Sequence, residues 1–236
     1  MVMLAVVPAR ANPPREIRFD APAGFAIGPD LTYPTAAAVG DFNNDGIADL
    51  AVTEPNSSLV SIMMGVGDGT FWKTASYAVN VGPVFVAVSD FNNDGVPDLA
   101  VVNGGFASSG VGASVSILLG NGDGTFQPAT NYLAGLSPQS LAIGDFNWDG
   151  NAELAVANYG SGTVSILLGD GTGSFRLAEN LTVGGNPQSV AAADLNRDGK
   201  LDLAVTNGPL NIVSILLGNG DGTFQQPVPY GGLNFL

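Results

Sequence analysis

The chain contains neither cysteine nor histidine. Without cysteine there is no disulfide and no thiolate nucleophile, and without histidine the usual proton shuttle near neutral pH is missing. Zinc and iron sites lose their common nitrogen and sulfur ligands at the same time. Most familiar catalytic arrangements are therefore excluded, and a metal bound here must be held by oxygen atoms.

Basic residues are also scarce. Seven lysines and arginines stand against 21 acidic residues, which leaves a formal charge of -14. No basic stripe is present to neutralise phosphates, so nucleic acid and anionic membranes are not expected as partners. Beyond the N-terminus, no apolar run approaches the roughly 20 residues that span a bilayer, and we predict no membrane insertion.

The first eleven residues, MVMLAVVPARA, form a short apolar run that ends in a small-x-small pattern. This pattern precedes signal-peptidase cleavage, so residues 1–11 are interpreted as a signal-peptide remnant. The alternative is a loose N-terminal arm. The first interpretation predicts a secreted or cell-surface protein whose folded domain covers residues 12–236.

Two motifs repeat together along the chain. The segment DFNNDGIADLAV at residues 41–52 returns in related form at residues 90, 145 and 194, with spacings of 49, 55 and 49 residues. A glycine-rich motif, LLGNGDGTF in its commonest form, follows each copy. The extra six residues of the second unit fall in a small-residue insertion at 104–114, which is expected to be a loop.

Within each unit, short β-rich runs are separated by Asn, Asp and Gly turns, and no helical period is sustained. Runs such as VSILL at residues 164–168 are apolar nearly throughout, as in strands covered on both faces. A small sheet repeated about every 50 residues is typical of a β-propeller. We therefore predict an all-β propeller of four four-stranded blades, at about residues 35–82, 83–136, 137–185 and 186–236, with an extra strand at about 16–28. The aspartates of the two NGDG segments, Asp123 and Asp221, are interpreted as turn formers.

The acidic segments have the ligand pattern of a hard divalent cation. When the first aspartate is position 1, oxygen-bearing side chains occupy positions 1, 3, 5 and 9, a glycine stands at position 6, and position 7 offers its carbonyl oxygen. Calcium fits this oxygen set best, at about four ions per chain. The predicted ligands are Asp41, Asn43, Asp45, Ile47 and Asp49; Asp90, Asn92, Asp94, Val96 and Asp98; Asp145, Asn147, Asp149, Asn151 and Glu153; and Asp194, Asn196, Asp198, Lys200 and Asp202.

Position 12 is valine in all four copies, so the acid at position 9 must close the oxygen cage. Glu153 is one methylene longer than the aspartate found there in the other copies, and it must ligate differently.

The motif pair DFNxDGxxDLAV and VSILLGNGDGTF resembles the FG-GAP/VCBS-type repeats of integrin-alpha-like β-propellers, with bacterial secreted forms as the nearer match. The resemblance implies that each acidic loop connects the first two strands of a blade and binds calcium. Such propellers usually have seven blades, and this chain has four repeats. Three assemblies remain open: part of a larger propeller, a four-bladed ring with an extra edge strand, or blades completed between chains.

These features favour a non-catalytic, calcium-stabilised module that mediates adhesion by binding a protein or glycan. An architectural subunit that self-assembles through its edge strands is one alternative. A calcium-dependent polysaccharide lyase or glycosidase is another. The enzyme is disfavoured because all twelve acids of the loops are assigned to metal, and because Glu54 and Glu179 are isolated in the sequence.

Overall fold

A computed structural model describes Gly24, residues 33–105 and residues 112–231. The described residues form sixteen β-strands and one short 3-10 turn, Gly208–Leu210. They contain no helix that is long and apolar enough to cross a membrane. The expected signal-peptide remnant at 1–11 and the extra strand at 16–28 lie outside the described residues.

The strands form four antiparallel sheets of four strands, and in each sheet the spatial order follows the sequence. Blade 1 comprises β1 (Ala37–Gly40), β2 (Asp49–Glu54), β3 (Leu59–Gly65) and β4 (Phe71–Ala78). Blade 2 comprises β5 (Pro83–Ser89), β6 (Asp98–Asn103), β7 (Ser114–Leu118) and β8 (Thr130–Leu133). Blade 3 comprises β9 (Pro138–Gly144), β10 (Glu153–Asn158), β11 (Thr163–Gly169) and β12 (Phe175–Thr182). Blade 4 comprises β13 (Pro187–Ala193), β14 (Asp202–Asn207), β15 (Ile212–Leu216) and β16 (Val228–Gly231). The predicted all-β class with four four-stranded blades is confirmed.

The apolar runs lie in the middle of the blades. Every residue of β6, β7 and β10 is buried, because these strands are covered on both faces by neighbouring blades. The outermost strand β4 alternates between half-buried and exposed residues, and β16 is exposed throughout. The burial of the side chains is therefore greatest in the middle strands of a blade and smaller in the outermost strand.

Each of the three hydrophobic cores lies between two consecutive blades. One core joins blades 1 and 2, the second joins blades 2 and 3, and the third joins blades 3 and 4. Among the described residues, no core joins blade 4 to blade 1. The sheets therefore form an open arc, which is an incomplete propeller.

A pair of phenylalanines recurs at each of these three interfaces. The phenylalanine at position 2 of one acidic loop meets, edge to face, the phenylalanine of the DGTF or TGSF motif in the next blade. The pairs are Phe42 with Phe126, Phe91 with Phe175 and Phe146 with Phe224, with ring centroids 5.3, 5.5 and 5.5 Å apart. A backbone bond accompanies each pair, from the amides of Gly124, Gly173 and Gly222 to the carbonyls of Phe42, Phe91 and Phe146, at 2.8, 3.0 and 2.9 Å.

We predict that Phe91→Ala lowers the free energy of unfolding by about 3–5 kcal/mol, because it empties a buried site between blades 2 and 3. A double-mutant cycle with Phe175→Ala should give a coupling of about 0.5–1.5 kcal/mol, measured by urea denaturation. Leu133→Ala, at an exposed site on β8, is the control and should change stability by less than about 0.5 kcal/mol. Strict additivity of the two phenylalanine substitutions would contradict the assigned pair.

Candidate metal sites

Each acidic loop connects the first and second strands of its blade, as the family resemblance implied. Position 9 is the first residue of the second strand, at Asp49, Asp98, Glu153 and Asp202. The four loops share one register, because the same strand pairing follows each of them. The twenty predicted ligand positions therefore fall into four equivalent sites, one in each blade.

In the first loop, three side chains are oriented by the backbone of the turn. Asp41 Oδ1 and Asn43 Oδ1 both accept from the amide of Asp45, each at 3.1 Å. Asp41 Oδ2 accepts from Gly46 N at 2.8 Å, and Asp45 Oδ1 accepts from Ile47 N at 2.7 Å. The oxygens of positions 1 and 3 therefore converge on a single amide.

The other three loops repeat this geometry. The amide at position 5 again receives the oxygens of positions 1 and 3, at Asp94, Asp149 and Asp198. The glycine at position 6 has a positive φ in every loop, at 82, 81, 85 and 88° for Gly46, Gly95, Gly150 and Gly199. This conformation is strained for residues with a side chain, which explains why glycine recurs there.

The acid at position 9 has a structural role that the sequence did not reveal. Asp49 is fully buried, and its Oδ2 accepts from Phe42 N at 2.9 Å while its Oδ1 accepts from Gly65 N at 2.8 Å. Asp98 and Asp202 make the same pair of bonds in their own blades. The position-9 acid therefore fastens the start of the loop to the end of the third strand.

The glycine at the end of the third strand recurs for a steric reason. A Cβ atom at Gly65, Gly120, Gly169 or Gly218 would overlap the carbonyl oxygen of position 8 in the same blade. The repeated glycine after each ILL or IMM run was the sequence signal for this contact. It could have shown that the third strand ends against the acidic loop.

The third loop departs from the others at Glu153. Its Oε2 accepts from Phe146 N at 2.7 Å, but its buried Oε1 has no partner among the described residues. Burial raises the pKa of Glu153 to about 7. The hydrogen bond from Phe146 N lowers this pKa, whereas the negative charges of Asp149 and Asp145 raise it further. Burial also raises the pKa of Asp98. Glu153 thus lacks one of the two bonds that the shorter aspartate makes.

The donor chemistry of the acidic loops fits a hard cation. Positions 1, 3 and 5 and the carbonyl of position 7 supply only oxygen ligands. Asn43 Nδ2, however, donates to Asp45 Oδ2 at 2.9 Å, so the amide presents its donor group to that acid. Within the described residues, no three acidic side chains form a group that could hold a metal ion as they stand.

The glycine-rich motif carries a different kind of aspartate. Asp123 Oδ1 accepts from the amide and the hydroxyl of Thr125, at 3.0 and 2.5 Å, and Asp221 does the same with Thr223. The hydroxyl bond is the largest cause of the lowered pKa of each acid. These residues shape the turn, as predicted.

We predict that Glu153→Asp stabilises the protein in the presence of chelator by about 1 kcal/mol, because the shorter acid can accept from Gly169 N as well as from Phe146 N. The melting temperature should rise by about 2–4 °C. The reciprocal change, Asp98→Glu, should lower it. A destabilising Glu153→Asp together with a neutral Asp98→Glu would show that the second bond contributes nothing.

Comparison with solved structures gives propeller-like folds. A chain from the crystal structure of BBS1N in complex with ARL6DN matches with a TM-score of 0.58 and 17% identity, over 86% of this chain and 57% of the matched chain. A candidate 6-phosphogluconolactonase from Bacteroides uniformis matches with a TM-score of 0.62 and 14% identity, over 85% of this chain and 57% of that one. This chain therefore spans a little over half the length of these proteins, and the similarity concerns the fold.

The comparison with curated proteins gives no match. The model of the FG-GAP-like repeat family matches residues 41–101, 106–156 and 145–205. These segments contain all four acidic loops in full, at residues 41–49, 90–98, 145–153 and 194–202. With the matched repeats covering more than half of the sequence, the chain belongs to the FG-GAP-like repeat family.

Proposed function

We propose that this protein is a non-catalytic, calcium-binding interaction module of the extracellular space, and that its partner is a protein or glycan bound by the propeller. The observation that carries the proposal is that a loop whose candidate ligand atoms are all oxygens recurs four times, at the same place in every blade. An FG-GAP-like repeat propeller is consistent with protein interaction. Calcium, the location outside the cell and adhesion are the finer parts of the proposal.

Calcium is supported by the convergence of oxygens in each loop. Calcium accepts six to eight oxygen ligands in flexible geometry, which suits two aspartates, an asparagine and a carbonyl with water completing the shell. In the first loop Asp41, Asn43, Asp45 and the carbonyl of Ile47 would hold the ion. Asp49 would add a carboxylate at the base of the loop while it keeps its backbone bonds.

Charge supports the same assignment. Each loop has three acids within nine residues of the sequence, in a chain whose formal charge is -14, and their like charges repel one another. When bound, calcium would supply positive charge that offsets this repulsion, and four ions would bring the formal charge to about -6. Extracellular calcium modules work at dissociation constants of about 10⁻⁴–10⁻³ M, which is compatible with the proposed location.

A macromolecular partner is supported by the fold rather than by a pocket. BBS1N, whose complex with ARL6DN contains a chain of similar fold, is a case of such a fold found with a protein partner. A glycan remains the alternative class of ligand. The two can be separated by binding assays against a glycan array and against extracellular protein preparations.

The absence of catalysis is part of the proposal. The candidate 6-phosphogluconolactonase shares the fold at 14% identity, which does not transfer an activity. Glu54, one of the two isolated acids considered for an enzyme, is buried, accepts from the Ser61 hydroxyl and pairs with Lys73 Nζ at 3.3 Å. These contacts give Glu54 a structural role in blade 1.

We predict that calorimetric titration of calcium into chelator-stripped protein shows binding at about four ions per chain, with a melting temperature that rises as the sites fill. Asp45→Ala and Asp198→Ala should each remove one site, because each deletes an acid at position 5. Asp123→Ala is the matched control, since it removes an aspartate of a turn, and it should leave the stoichiometry unchanged. No heat and no thermal shift with calcium would refute the proposed metal sites.

A further inference from the structure

One side of blade 4 is apolar, and none of the other described blades covers it. We call the side of a blade that faces the next blade in the sequence its trailing face, and the opposite side its leading face. On the trailing faces of blades 1, 2 and 3, Val60, Val115 and Val164 are completely buried. Their counterpart in blade 4, Val213, is 37% exposed. The trailing face of blade 4 thus has the composition of an interface without the neighbour that the others have.

The register of the outer strands identifies a second missing contact. Tyr77 pairs with Val60, Tyr132 with Val115 and Tyr230 with Val213, so the three tyrosines are equivalent. Tyr77 and Tyr132 each meet the phenylalanine of the next blade, with ring centroids 5.6 Å from those of Phe126 and Phe175. The Tyr77 hydroxyl also accepts from Phe126 N at 3.0 Å. Tyr230 is 61% exposed.

The acidic loop of blade 4 lacks its neighbour as well. Leu195 occupies the position of Phe42, Phe91 and Phe146, which are all buried, yet it is 48% exposed. At position 4, Asn44 donates to Gly122 O at 3.5 Å and Asn93 donates to Asn151 Oδ1 at 3.0 Å, both across a blade interface. Blade 4 has Arg197 there, so a cation would face the loop of whatever blade packs next.

The leading side of blade 1 offers a complementary cavity. The cavity has a volume of about 380 Å³ and is lined by Ala48, Gly69 and Thr70 among others. In the other blades a Cβ atom at the counterpart of Gly69 would meet a side chain of the preceding blade, which is Met64 for Gly124, Leu119 for Gly173 and Leu168 for Gly222. Gly69 has open space where their neighbours stand. The equivalent residue at the far end of the chain is Leu217.

We propose that the trailing face of blade 4 docks onto the leading side of blade 1 in a second copy of this chain. Leu217 then occupies the cavity beside Gly69, and Arg197 lies near the acidic loop that begins at Asp41. The contact repeats, between molecules, the loop-side part of the interface that occurs three times within the chain. Blade faces make this contact, whereas the sequence suggested edge strands.

Among the described residues, the trailing face of blade 4 and the leading side of blade 1 do not meet within one chain, because the arc is open. The proposed contact is head to tail, so it uses two different surfaces and builds chains or rings of molecules. Val52 and Met63, deeper on the leading side of blade 1, are already buried. The intermolecular contact is therefore smaller than the internal ones, and association is expected to be weaker than a permanent interface.

Three single substitutions of equal charge test this proposal. Val213→Arg places a cation on the trailing face beside Tyr230. Ala48→Arg blocks the leading side at an exposed residue whose counterparts, Ala152 and Leu201, pack into internal interfaces. Leu133→Arg, on the exposed outer strand of blade 2, is the matched control. Circular dichroism melts establish that each variant is folded.

The measurement is sedimentation velocity from about 1 µM to about 1 mM in physiological salt, with calcium and with chelator. The unmodified protein and Leu133→Arg should associate with rising concentration. Val213→Arg and Ala48→Arg should each associate at least about tenfold more weakly. A mixture of these two variants should form dimers and nothing larger, because each molecule retains one intact surface.

Each other outcome overturns the proposal. A monomeric unmodified protein over the whole range removes self-association. If Ala48→Arg alone associates normally, two trailing faces pack against each other. If both variants associate normally, the contact lies elsewhere, for example at paired edge strands. Failure of the mixture to form dimers excludes the head-to-tail arrangement.

Discussion

A four-stranded blade of this protein has two apolar faces and cannot cover either of them by itself. The central strands carry continuous apolar runs, and every residue of β6 and β10 is buried only because a neighbouring sheet lies on each side. Folding therefore requires that blades stack, and each interface repeats the same contacts between phenylalanines, aliphatic side chains and one backbone bond. Among the described blades, stacking covers the internal faces and leaves the trailing face of blade 4 exposed.

The acidic loops are part of that stacking. In each loop at an internal interface, the amide of the residue at position 2 donates to the acid at position 9, and its carbonyl accepts from a glycine amide of the next blade. In the first loop, Phe42 N donates to Asp49 and Phe42 O accepts from Gly124 N. The conformation of the loop and the position of the neighbouring blade are thus held by one residue. Under the proposed function, an ion that orders a loop would also stabilise the adjoining interface, which would link calcium to the stability of the whole arc.

Polar side chains fix the opposite end of the strands. Asn158 at the end of β10 donates to the Ser165 hydroxyl at 2.8 Å, and Asn103 and Asn207 make the same bond to Ser116 and Ser214. With the position-9 acid at one end and this pair at the other, the second and third strands of a blade are held in register at both ends. Glu54 replaces the asparagine in blade 1, and the nearby Lys73 offsets its charge.

Sequence periodicity was enough to predict the blades and the placement of the loops. Strands and turns are local features, and the repeat shows the pattern of each one four times. The hydrogen bond from the Gly65 amide to Asp49 was not predictable in the same way, since it joins residues 16 positions apart through a backbone group. The open arc was equally hidden, because closure depends on the angle between blades, to which many weak contacts contribute. The sequence does contain one difference between the blades, which becomes visible once the registers are known. Blade 4 has leucine in place of phenylalanine at 195 and arginine at 197, and both lie on the one trailing face that no described blade covers. The leucine keeps that face apolar, and the arginine makes it complementary in charge to an acidic loop. Its composition is therefore that of a contact surface.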